Sequence, residues 1–139
     1  MSYKEVLSRY FKTDLVAVFL WFIVALIIVA LIKRLLPADD LSNKPIRRIL
    51  HVLLIIGSAL VLFGTLTEMH NIMQDMQDEL YISVTGSFTT DRDRMNFTDM
   101  HGERLILKIR PIMPDFESSK QATVIYSENS KILLDVISN

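Results

Sequence analysis

The sequence predicts an α+β membrane protein: a two-helix transmembrane hairpin, a helical stalk, and a small β sheet or barrel of four or five strands. Three observations predict it. Residues 15–32, LVAVFLWFIVALIIVALI, form an uncharged apolar run of 18 residues. Residues 49–67, ILHVLLIIGSALVLFGTLT, form a second run whose one ionisable group is His51. From residue 80 onward the apolar spacing changes from three-and-four to two, the period of a strand.

Each run approaches the roughly 20 residues that cross a hydrocarbon core of about 30 Å. Residues 1–14 form a short segment carrying Lys4, Arg9 and Lys12. Such a segment also opens a signal peptide, but the first run exceeds the usual apolar core of about 7–15 residues. The exit LIKRLLPADD has no small-x-small cleavage pattern. The first run is therefore expected to stay in the chain as helix 1.

The loop 33–48, KRLLPADDLSNKPIRR, sets the expected orientation. It has five basic residues; residues 1–14 have three, and the first twenty residues after the second run have none. Basic residues in short loops favour the cytoplasmic side. The chain is thus expected to be a multi-pass cell-membrane protein with a cytoplasmic loop and both termini extracytoplasmic. Lys33 and Arg34 suit the negative end of helix 1. Pro37 ends it, and Pro45 suits the first turn of helix 2. Arg47 and Arg48 belong at the headgroup level, so anionic lipid is an expected partner of the loop.

Within the spans, Gly57 and Gly64 lie seven residues apart, on nearly one helical face. Small residues let membrane helices approach closely, which makes these glycines candidate interface positions within the chain or between chains. Neither span carries an interior Asp, Glu, Lys or Arg. A pore or pump built from this chain alone is not expected, because such proteins need polar groups at depth.

Residues 68–79 read as an amphipathic stalk. Met69, Ile72, Met73 and Met76 recur at helical spacing, with Glu68, Gln74, Asp75, Asp78 and Glu79 mostly around the other side. The methionine stripe is expected to pack on a neighbouring surface rather than to bind copper.

Residues 80–139 read as a small extracytoplasmic β domain. Strands are expected at 80–86, 104–110, 121–127 and 131–137, with a fifth, short one near 95–98. The turns expected are MHG at 100–102 and SENS at 127–130. Prolines at 111 and 114 exclude a regular strand over 110–119. The spacing is compatible with a barrel of the oligonucleotide/oligosaccharide-binding type, though fold alone does not assign function. Alternation places Leu105, Leu107, Ile109, Ala122, Val124, Ile132, Leu134 and Val136 on the core face. Ile106, Ile125, Leu133 and Ile137 then fall on the other face. Ile125 and Leu133 are the candidate contact residues there, unless the stalk or barrel closure covers them.

The 139 residues include no cysteine, and 15 Lys and Arg nearly balance 16 Asp and Glu. Thiolate chemistry and disulfides are excluded, and no nucleic-acid partner is expected without a basic face. There is no phosphate loop, nucleophile elbow or HExxH pair. Asp99, His101 and Glu103, and the run DRDR at 91–94, read as solvated turns. No catalytic, cofactor or metal set is expected. The leading expectation is a non-enzymatic, membrane-anchored binding or regulatory protein, partnered by its own copies or another envelope protein. The alternative is an accessory subunit that acts through its transmembrane helices.

Overall fold

The computed structural model describes residues 2–109 and 121–138. Its elements are α1 (Tyr3–Leu35), a 3-10 turn (Leu41–Asn43), α2 (Lys44–Asp78), and strands β1 (Tyr81–Asp91), β2 (Arg94–Asp99), β3 (Arg104–Lys108), β4 (Ala122–Ser127) and β5 (Leu133–Ser138). The residues before Phe11 belong with those after His70 in one compact unit, and Phe11–His70 form the other.

In the helical unit, both helices are long and apolar enough to cross a membrane. Only 6% of the apolar window of α1 and 0% of that of α2 is buried within the chain. Open apolar surface of this extent marks a membrane or protein contact, and both helices are candidate membrane spans. Lys33 and Arg34 close α1. Asp40 caps the 3-10 turn, accepting from the backbone N–H and the hydroxyl of Ser42. That contact holds the Asp40 carboxyl below its ordinary pKa.

α1 begins twelve positions before the apolar run, at Tyr3, and so takes in most of the short N-terminal segment 1–14. Its start is a capping box. Ser2 Oγ accepts from Glu5 N at 3.3 Å, and Glu5 Oε2 accepts from Ser2 N at 3.0 Å. α2 likewise runs unbroken through the stalk. It ends with Glu79 in the left-handed region (φ 52) and Leu80 N donating to Asp75 O at 3.2 Å. That is a Schellman closure made without glycine.

The five strands form one antiparallel sheet in the order β3-β2-β1-β4-β5. The long central strand serves both halves: residues 81–86 pair with β4, and residues 86–91 pair with β2. A parallel bridge between Lys108 and Ile132 joins the end of β3 to the approach of β5, curling the sheet toward closure at that corner. Phe88, Met95, Phe97, Leu107, Val124 and Leu133 form the centre of its core. The DRDR run is the tight β1–β2 turn, with Arg92 at φ 47. Gly102, at φ 84, supplies the left-handed residue between β2 and β3. The expected break at 110–119 lies outside the described residues.

One face assignment is corrected. Leu133 was expected on the outer face, but it is fully buried and belongs to the core. The register explains the change: Ile125 pairs with Asp135, whereas Tyr126 pairs with Leu133, leaving Leu134 as an extra residue in a bulge. A bulge reverses the alternation along its strand. Ile132, Leu133 and Leu134 are consequently all buried in succession.

Candidate functional site

Among the described residues, three places that gather polar or charged side chains stand out. The first is a buried clasp on the β4–β5 turn. Asp75, fully buried on the stalk, aims its carboxylate into the turn. Oδ1 accepts from Asn129 N (3.0 Å) and Nδ2 (2.9 Å), and Oδ2 accepts from Ser130 N (2.8 Å) and Oγ (2.6 Å). Ser130 Oγ also contacts Ser127 Oγ at 2.6 Å, and Ser127 Oγ accepts from Ile132 N at 2.9 Å. The buried side chains of the clasp, Asp75, Ser127 and Ser130, thus all have partners, as burial demands. The stripe expected on the stalk is shifted accordingly: Met69, Ile72 and Asp75 are buried, and Met73 is exposed. A second attachment comes from the start of α1. Lys4 Nζ lies 2.7 Å from Glu79 Oε1, Tyr3 packs edge-on to Tyr81, and the Tyr3 hydroxyl donates to Asp135. The hydrogen bond from Lys4, and then its charge, hold the Glu79 carboxyl below its ordinary pKa. These contacts tie the start of α1 and the end of α2 to the sheet.

The second place is a groove of about 570 Å³ on the outer face of β1, β2 and β3. The register sets two cross-strand rows there, Ser87–Thr98–Arg104 and Thr89–Asn96–Ile106. Their side chains offer hydroxyls, an amide, one guanidinium and one exposed apolar group. All but Thr98 are exposed. Phe88, Phe97 and Leu105 complete the lining of the groove.

The third place is a cavity of about 450 Å³ at the start of α2, lined by Lys44, Arg47, Arg48, His51 and Val52. The first turn of α2 has no acidic residue. His51 Nδ1 lies 2.6 Å from Arg47 O. A carbonyl can only accept, so Nδ1 carries the proton and Nε2 is left facing away from that bond.

Among the remaining sequence candidates, Gly57 and Gly64 border open space, where an added Cβ would meet nothing within 4 Å. Ile125 is half-buried on the outer face beside Asp135. Leu133, as a core residue, does not join it. Asp99 is occupied in its own turn, where Oδ1 accepts from His101 N and Glu103 N, each at 2.8 Å. Among the described residues no three His, Asp or Glu side chains converge as a metal site would require. Sequence reasoning missed the groove and the clasp. Alternation in β1 and β2 carried the signal for the groove; for Asp75 there was none beyond its place on the stalk.

No protein-family model, curated protein or solved structure matches the chain.

Proposed function

We propose that the protein is a non-enzymatic, membrane-anchored binding or regulatory protein. It presents its β domain outside the cytoplasm to another envelope protein or to a second copy. One observation carries this reading: the apolar windows of α1 and α2 are almost wholly uncovered, while the sheet closes its own core. The helices need lipid around them. The sheet carries its own core, and the groove on β1, β2 and β3 offers an open surface for recognition. The five-to-zero contrast of basic residues across the second span supports a cytoplasmic loop.

Single cysteines at Ser42 and Thr90, both exposed, test the topology in a chain that has none of its own. Ser42→Cys is expected to react only from the cytoplasmic side of intact membranes, and Thr90→Cys only from outside. Labelling of both from one side rejects the hairpin, and the opposite assignment rejects the orientation. Ser130, a plain turn residue by sequence, is unsuitable because it is buried in the clasp.

The accessory-subunit reading is favoured by the open space beside Gly57 and Gly64. Proteins co-purifying from gently solubilised membranes separate the two. Asn96→Ala with Arg104→Ala is expected to reduce partner recovery roughly tenfold, the scale of losing a central polar contact. Gly57→Leu with Gly64→Leu is expected to leave it unchanged. The reverse result assigns the function to the helices.

A further inference from the structure

We infer that the cavity at the start of α2 is a built site for the phosphodiester headgroup of an anionic phospholipid. The inference rests on reading α1 and α2 as membrane spans. Lys44, Arg47 and Arg48 place three cations within the first turns of one helix, and His51 completes the wall. This is the positive end of the helix dipole, so the cations are repelled both by it and by each other. No carboxylate among the described residues forms a salt bridge with them. Such an arrangement becomes favourable when an anion sits among the charges.

Two further features point to the ligand. Arg47 Nε is shielded from solvent and has no hydrogen-bond partner among the described residues. Arg47 itself is half-buried on the cavity wall, and its guanidinium matches phosphate oxygens well. The rim is apolar. Val52 lines the cavity, and Ile49 and Leu53, each 59% exposed, open the uncovered band of α2 beside it. A ligand with a phosphate joined to acyl chains satisfies both parts, whereas a free phosphate uses only one. Lys33 and Arg34 make an internal contrast. They end α1, where cations complement the dipole, and so require no anion.

The test uses the full chain in mild detergent, with bound lipid counted by native mass spectrometry. Phosphatidylglycerol is expected to be retained at least about tenfold more tightly than phosphatidylcholine, given several charge-assisted contacts. Arg47→Gln with Arg48→Gln is expected to abolish that preference, while Lys33→Gln with Arg34→Gln keeps it. An unchanged helical circular dichroism spectrum shows that the variants are folded, and the wild-type lipid comparison needs no variant. Equal loss from both pairs means diffuse charge attraction and overturns the site. Displacement of the lipid by millimolar inorganic phosphate reassigns the cavity to a soluble anion and overturns the lipid assignment. Alkaline carbonate extraction from phosphatidylcholine vesicles tests the underlying reading separately. Release there removes the membrane reading and the inference with it; retention without a phosphatidylglycerol preference removes the inference alone.

Discussion

Replacing Asp75 with alanine is expected to lower the thermal midpoint of the β domain by roughly 12–24 °C. The figure follows from a loss of about 3 kcal/mol and about 4–8 °C per kcal/mol for a domain of this size. The carboxylate accepts four hydrogen bonds from Asn129 and Ser130, all at 3.0 Å or less. Removing it leaves two backbone N–H groups and a hydroxyl in a buried turn, each unsatisfied donor costing about 1–3 kcal/mol. Some of that is recovered as water enters, so the total falls well below the sum. Asp75→Asn should cost about half as much. It keeps an acceptor for Asn129 but turns a donor toward Ser130. Thermal unfolding followed through the β signal of the solubilised full chain measures all three proteins. A midpoint for Asp75→Ala within 2 °C of the wild type, roughly the precision of such melts, rejects the clasp as a source of stability.

Gly86→Ala is expected to be more damaging still, with loss of folded protein at growth temperature. Gly86 is the residue of β1 that pairs in both directions, with Asp99 in β2 and Ala122 in β4. An added Cβ would collide with Thr98 O, and would also lie 2.8 Å from Phe97 Cζ and 2.9 Å from Asp99 Cα. Two of those three atoms are backbone, which cannot swing aside as a flexible side chain can. Overpacking in a core typically costs about 1–3 kcal/mol, and a collision with a paired strand places this change at or above the upper end. Gly102→Ala is the control. Nothing lies within 4 Å of its Cβ position, but its φ of 84° is unfavourable to alanine, so a loss of about 1–2 kcal/mol is expected. Yield and thermal midpoint of the two variants decide the matter. Equal stability would mean that β1 shifts freely at Gly86 and that the close approach is not a constraint.

The sequence made some elements legible and hid others for identifiable reasons. The apolar windows of α1 and α2 declare themselves because a membrane-length run has few other uses. The strands β3 and β4 were visible in their alternation, and even the short β2 was seen at Met95–Thr98. The extension of α1 back to Tyr3 was overlooked although Ser2 and Glu5 spell a capping box, a signal overshadowed by the apolar run that follows. The second half of β1 was missed because Phe88 stands alone among Ser87, Thr89 and Thr90. Leu133 shows a limit of a different kind. Its face depends on a bulge decided by pairing with β4, and nothing local in KILLDVI marks where the alternation reverses. Asp75 was read as one more acid on the wet side of the stalk, because its partners lie more than fifty residues further on.

The junction between stalk and sheet has a mechanical consequence. Only Glu79 and Leu80 separate the last helical residue, Asp78, from the first strand residue, Tyr81. Leu80 N is tied back to Asp75 O and Leu80 O accepts from Glu128 N, so both backbone groups of this link are engaged. Slack in a connector comes from several freely rotating residues, and here there are none. With the Asp75 carboxylate gripping the far turn as well, the last turns of α2 and the sheet behave as one stiff lever. A rotation of the stalk about its axis is delivered to the groove as an equal rotation, without a hinge to absorb it. A partner that fixes the groove would in turn resist twisting of the helix end that carries it.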